Sequence, residues 1–191
     1  MVHVCLFGHS FPARADRFKG AHSQSFASLP DDCVMDIKGH SGLTFSRVSQ
    51  NPSRFLSALK GYDIIIVDLG TNDLCDMHVT PSSFIVSRAM GLMDLFDQFE
   101  VKPECIVFLA VLQRTQITRQ GQVTLTTFNH RVKKFNAQLA KRVKLLYPKV
   151  QVKSQKKYGQ SKYVYDGCHL TNEGIKMYIN NVLSVVTRFT Q

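Results

Sequence analysis

A three-layer α/β/α sandwich around a five-stranded parallel sheet is the fold class this sequence predicts. Two observations carry it. Strand-like and helix-like segments alternate along the 191 residues, and three of the strand-like segments are continuous apolar runs. A strand that is apolar on both faces must be covered on both faces, as in a parallel sheet with helices packed on each side.

The elements follow in order. Val2–Phe7 is a short apolar run ending at Gly8, and Cys33–Lys38 is a second strand ending at Gly39. Arg54–Lys60 reads as a short helix stopped by Gly61. Asp63–Leu69 (DIIIVDL) is the clearest strand, β-branched and bounded by Gly61 and Gly70. Thr80 is expected to cap a helix with Pro81 in its first position. Its inner face would be Phe84, Ile85, Ala89, Leu92, Met93, Phe96 and Phe99, at three-and-four spacing. Glu104–Leu112 is another buried strand. After the polar stretch Gln113–Thr126 comes a helix with Phe128, Val132, Phe135, Leu139, Val143 and Leu146 on one face, ended by Pro148. Val150–Lys153 is a weak last strand. Asn172 is expected to cap a final helix whose inner face is Ile175, Ile179, Val182 or Leu183, and Val186. No repeat, linker or low-complexity tract interrupts the pattern, so residues 1–191 read as a single domain.

Composition narrows the class. Hydrophobic residues make up 44% and charged residues 20%, which excludes a disordered tail or a fibre. No apolar run approaches the roughly 20 residues needed to cross a bilayer. The opening residues MVHVCLFGHS carry no basic leader, so a secretory signal is not expected. Cys5, Cys33, Cys75, Cys105 and Cys168 are scattered, odd in number and free of any CxxC pair, the usage of reduced thiols in the cytoplasm. His3 and Cys5 alternate onto one face of a strand, but no second pair at ligand spacing exists, so no metal and no cofactor are expected.

In open parallel sheets, ligands bind beyond the carboxyl ends of the strands, near the point where strand order reverses. Four blocks stand at such positions. Gly8-His9-Ser10 follows the first strand, Gly39-His40-Ser41-Gly42 the second, and Gly70-Thr71-Asn72-Asp73 the third; Asp166-Gly167-Cys168-His169 precedes the last helix. Each alone is ordinary turn chemistry. Together they supply the parts of an acyl-transfer site: a hydroxyl on a tight turn, backbone and amide donors, and a histidine with a carboxylate three residues before it. Cys168 lies in the histidine loop without an activating partner and reads as a bystander.

These blocks resemble those of the SGNH (GDSL-type) hydrolases, and the resemblance runs from residue 4 to the last helix. Its most specific pieces are Gly70-Thr71-Asn72-Asp73 and the D-G-x-H-L-x-x-x-G run from Asp166 to Gly174. The resemblance implies a flavodoxin-like sheet and a serine esterase without metal. Ser10 would be the nucleophile, His169 the general base and Asp166 its orienting carboxylate. The Ser10 N–H, the Gly42 N–H and the Asn72 side-chain amide would form the oxyanion hole. The substrates expected are short acyl or acetyl esters, cleaved through an acyl-enzyme intermediate. The departure from the family is His9, where aspartate is usual. A looser resemblance, carried by Gly8-His9-Ser10-Phe11 with Arg14 and Arg17, is to the esterase domain in the first reading frame of LINE-type retrotransposons. It implies one domain of a longer, RNA-packaging and oligomerising chain.

Charge raises a second expectation. The formal net charge is +10, yet it comes from one segment: Cys105–Tyr165 holds thirteen Lys and Arg and no acidic residue. The remainder carries eleven basic against fourteen acidic residues. A soluble face normally interleaves both signs. Residues 131–162, and in particular Arg131, Lys133, Lys134, Lys141, Arg142 and Lys144, are therefore the candidate contact for RNA or an anionic membrane surface. A non-catalytic module that uses this segment to bind such a polyanion is the alternative to an esterase.

Overall fold

The computed structural model describes residues 1–21, 29–76, 81–116, 123–147, 149–155, 163–166 and 169–190. Its centre is a five-stranded sheet, all parallel, in the order β2-β1-β3-β4-β5. The strands are β1 (Val2–Gly8), β2 (Cys33–Gly39), β3 (Ile64–Asp68), β4 (Cys105–Leu109) and β5 (Val150–Lys153). The order reverses between β1 and β3, whose register pairs Gly8 with Asp68 at their carboxyl ends.

The apolar runs are sorted by alternation. Val4, Leu6, Ile64, Ile66, Val107 and Leu109 face a core closed by α1 (Ser10–Ala21) and α7 (Asn172–Thr190). Cys5, Phe7, Ile65, Val67 and Phe108 face the opposite core. That second core is closed by α2 (Phe45–Gln50), α3 (Pro52–Leu56), α5 (Ser82–Gln98) and α6 (Leu125–Leu146), with the short α4 (Thr71–Leu74) at its edge. Burial on both faces is why these strands read as runs and not as polar/apolar alternation.

The structure adjusts several expected elements. The residues after Ser10 form α1, an element with weak apolar periodicity and no predicted counterpart. The expected helix Arg54–Lys60 is α3 followed by a 3₁₀ turn, Ser57–Leu59. Pro81 stands immediately before α5; Thr80 and Pro148 lie outside the described residues. Two residues assigned to inner faces are out in solvent. Phe84 is half exposed beneath the Arg88 guanidinium, and Leu146 is exposed as the last residue of α6. The cap of α7 is Thr171, whose Oγ1 accepts from Gly174 N–H at 3.1 Å; Asn172 is already helical. His3 is exposed while Cys5 is buried, its thiol pushed up to about 12 by desolvation. Among the described residues, no cluster of His, Cys, Asp or Glu could hold a metal ion, and no helix is long and apolar enough to cross a membrane.

Candidate active site

Three of the four blocks are fastened to one another at the carboxyl edge of β1, β2 and β3. His9 N–H donates to Asp68 O at 3.1 Å, and His40 N–H to Gly8 O at 2.8 Å, so the turns after β1 and β2 extend the sheet's own ladder. The turn after β3 then grips the turn after β2 twice. Asn72 Nδ2 donates to Leu43 O at 3.0 Å, and both carboxylate oxygens of Asp73 accept from Phe45 N–H, at 3.2 and 3.3 Å. Asp73 is thus a brace for α2. It is buried, and desolvation raises its carboxyl to about 6 even though the Phe45 N–H bond opposes the shift.

The donors that could meet an oxyanion lie within this fastening. Ser10 is the first residue of α1, so its N–H has no acceptor within the helix. Gly42, next to Leu43, has a φ of 74°, a left-handed conformation that a Cβ would strain. Asn72 spends one amide hydrogen on Leu43 O and keeps the other.

The fourth block is a loop closed on itself. Val164 and Leu170 form an antiparallel bridge, Tyr165 N–H donates to His169 O at 3.1 Å, and Thr171 N–H to Tyr163 O at 2.9 Å. Asp166 grips His169 at both ends: Oδ1 accepts from the His169 N–H and Oδ2 lies against Nδ1, each at 2.6 Å. A carboxylate at Nδ1 keeps the proton there and leaves Nε2 as the basic nitrogen. Gly174 shows why the run from Asp166 ends in glycine, since a Cβ there would stand 2.1 Å from Tyr163 O. The first turn of α7 can close over the loop only without a side chain at that position. Gly167 and Cys168 lie outside the described residues.

Ser10 and His169 are not hydrogen-bonded to each other. They are joined through Arg14, one turn after Ser10 on α1. Arg14 donates to Leu170 O at 3.0 Å, beside His169, and a second guanidinium nitrogen bonds the Tyr165 hydroxyl. The Tyr165 ring stacks on the His169 imidazole, with centroids 5.9 Å apart and an interplanar angle of 20°. The helix that begins with the serine thereby holds the loop that carries the histidine.

Sequence reasoning missed the surroundings of Ser10. Its hydroxyl lies 3.3 Å from His9 Nδ1. His9 Nε2 is in turn 3.2 Å from Asp68 Oδ1, and Asp68 Oδ2 accepts from the Tyr178 hydroxyl at 2.7 Å. The available signal was Asp68 itself, a carboxylate inside the apolar run DIIIVDL.

The basic candidates lie elsewhere, on α6. Lys133, Lys134, Lys141, Arg142 and Lys144 are exposed. Arg131 is engaged, donating to Leu74 O at 3.3 Å and Asp76 O at 2.7 Å. Lys156, Lys157 and Lys162 lie outside the described residues.

No protein-family model and no curated protein sequence matches this chain. Solved structures do. An aryl esterase from M. smegmatis is 16% identical with a TM-score of 0.74, over 98% of this chain and 99% of that one. A carbohydrate acetylesterase from Sinorhizobium meliloti is 19% identical with a TM-score of 0.72, over 99% and 100%. A GDSL-like lipase from Bacteroides thetaiotaomicron is 15% identical with a TM-score of 0.71, over 97% and 88%. With its 2-1-3-4-5 parallel sheet and helices on both faces, the chain has the fold of the SGNH (GDSL-type) hydrolases.

Proposed function

We propose that this chain is a serine ester hydrolase acting on short acyl or acetyl esters, with Ser10 as nucleophile, His169 as general base and Asp166 as its orienting carboxylate. The observation that carries the reading is the Asp166–His169 pair at 2.6 Å on a loop that Arg14 ties to the helix of Ser10. Ser10 Oγ attacks the ester carbonyl carbon and its proton passes to His169 Nε2. The carbonyl oxygen becomes an oxyanion that the N–H groups of Ser10 and Gly42 and the Asn72 amide stabilise. Each such donor is worth about 3 kcal/mol in the transition state. Collapse expels the alcohol, which takes the proton from His169. Water, deprotonated by the same imidazole, then attacks the acyl carbon; the bond to Ser10 Oγ breaks, the carboxylic acid leaves and Oγ takes the proton back from His169. The names of the aryl esterase and the carbohydrate acetylesterase of like fold support small esters as the substrate class.

A fluorophosphonate probe and p-nitrophenyl acetate test the assignment together. Wild type should be labelled and turn over the ester, whereas Ser10→Ala should do neither while keeping its melting temperature. Retained turnover in the purified variant would dispose of Ser10 as nucleophile.

A second reading concerns the basic face. Lys133, Lys134, Lys141, Arg142 and Lys144 project from α6 into solvent within a segment that holds no acidic residue, and this favours a polyanion such as RNA as a partner. The looser resemblance gives that partner a setting, a cytoplasmic RNA-packaging protein encoded by a retrotransposon. The two readings use different surfaces and are compatible.

A further inference from the structure

His9 occupies the position before the nucleophile, and it is 1% exposed. It also stands just before the first residue of α1, where a helix needs a side-chain acceptor for its unpaired N–H groups. The imidazole meets that need, because Phe11 N–H points at Nδ1 from 3.4 Å. A backbone donor at Nδ1 assigns the ring proton to Nε2. Nε2 faces Asp68 Oδ1 at 3.2 Å, an ion-pair distance at an angle too oblique for a hydrogen bond. In a pocket closed to water the carboxylate is still the electrostatic partner of that N–H. Asp68 is itself 1% exposed, and its other oxygen takes the hydroxyl of Tyr178, fully buried on α7. Phe11 seals the group, edge-on to both His9 (5.0 Å) and Tyr178 (5.8 Å).

Buried carboxylates, imidazoles and phenols are expensive to place in a core, and packing alone would be served as well by apolar side chains. This chain of polar groups ends on the Ser10 hydroxyl. We propose that His9, Asp68 and Tyr178 form a buried positioning relay for the nucleophile. In the resting state the one lone pair of His9 Nδ1 is shared by the Phe11 N–H, at 3.4 Å, and the Ser10 O–H, at 3.3 Å. This holds Oγ in one rotamer, and the hydroxyl proton turns from Nδ1 to His169 when the reaction begins. Asp68 and Tyr178 hold the imidazole in the Nε2–H tautomer, the form with an acceptor facing Ser10. The far end of the relay is also informative. Tyr178 lies on the helix that begins three residues after His169, so the relay sets the nucleophile turn against the element behind the base. The inference rests on Ser10 being the nucleophile.

The test is the rate and the final extent of Ser10 labelling by the fluorophosphonate. In that step a bond forms from Ser10 Oγ to phosphorus, the P–F bond breaks, fluoride leaves and the serine proton goes to His169. His9→Asn retains an oxygen acceptor near the place of Nδ1 for the Phe11 N–H but cannot reach Asp68. Tyr178→Phe removes one hydroxyl at the far end and keeps the ring. In His9→Asn the labelling rate and kcat should fall about tenfold or more, the scale of a nucleophile held slightly out of line, with KM unchanged. In Tyr178→Phe they should fall about fivefold, the worth of one hydrogen bond. In both variants every molecule should still be labelled in the end. A merely structural role has the opposite signature, a smaller labelled fraction at an unchanged rate, and that result would overturn the relay. So would wild-type rates in Tyr178→Phe, the variant expected to fold whatever happens to His9→Asn. A wild type that the probe never labels would instead overturn the hydrolase reading, and the relay with it.

Discussion

Arg14 donates to the carbonyl oxygen of Leu170 from 3.0 Å across 156 residues of chain, and it does so one turn after Ser10 and one residue after His169. A single side chain therefore spans the two halves of the candidate catalytic pair. A guanidinium can do this because it presents several donors in one plane, here to Leu170 O and to the Tyr165 hydroxyl at once. Arg14→Ala should reduce kcat about tenfold, what a charge-assisted hydrogen bond of about 1.5 kcal/mol is worth, with a smaller effect on the melting temperature. Arg14→Lys should recover only part, since an ammonium on a single stem lacks the fork that spans both acceptors. Equal kinetics in wild type and Arg14→Ala would show that the loop is held without it.

The two members of the histidine loop should differ in cost. His169→Ala removes the base and should lower kcat about 10²- to 10⁴-fold. Asp166→Asn can still accept from the His169 N–H through one oxygen, so the loop keeps its shape. The amide no longer holds the ring proton on Nδ1, however, and the imidazole that remains is the base in only a fraction of molecules. Its loss should be the smaller of the two. Equal losses, accompanied by a lowered melting temperature in Asp166→Asn, would make Asp166 a structural residue.

Asp73 gives a prediction about stability and pH. Burial raises its carboxyl to about 6 from 3.8, so the folded state binds this proton more tightly than the unfolded state does. Its stabilising contribution is then complete below about pH 4 and is lost as pH rises through about 6. The size is about 3 kcal/mol at 1.36 kcal/mol per unit. Asp73→Asn keeps an acceptor for the Phe45 N–H and removes the titration. In urea melts at pH 4.5 and pH 7.5, the variant should gain on wild type as pH rises. Parallel stability at both values would mean that the carboxylate is paired in a way that cancels its burial.

The basic face of α6 can be tested by salt. If Lys133, Lys134, Lys141 and Lys144 each meet a phosphate of single-stranded RNA, log affinity should fall with log salt at a slope of about −0.7 per contact. Reversing all four to glutamate should abolish binding and leave ester turnover nearly intact, because α6 covers a sheet face while Ser10 and His169 lie past the strand ends. Binding that persists in the reversed variant would move the contact elsewhere. Loss of turnover along with binding would show one shared surface.

Much of this architecture was legible because its causes are local. Runs such as Ile64–Val67 can be satisfied only by cover on both faces, and the stripe Phe128, Val132, Phe135, Leu139 and Val143 is buried as its spacing requires. The four blocks stood out for the same reason, since turns after strands are where sheets of this kind carry their polar side chains. The first helix was not legible. Ser10–Ala21 has few apolar residues, and its inner face is Phe11, Ala15 and Phe18 packed on β1 and α7. Leu146 and Phe84 follow the helical spacing but lie in a terminal turn of their helices, where both are exposed.

By itself the sequence determined the number of strands, their succession along the chain, the layers above and below them, and which turns follow the strands. It does so because hydrophobic periodicity and turn chemistry act over a few residues at a time. Only the tertiary structure decided what each of those residues touches. That Asp73 braces Phe45, that Arg131 is held by Leu74 O and Asp76 O, and that Tyr178 reaches Asp68 are outcomes of packing between elements tens of residues apart. The clearest case is Asp68, in sequence a polar interruption of an apolar strand. Once β1 and α7 are laid beside it, it is a buried carboxyl group between an imidazole and a phenol, because a polar group shut away from water must draw its partners from whatever the fold brings beside it.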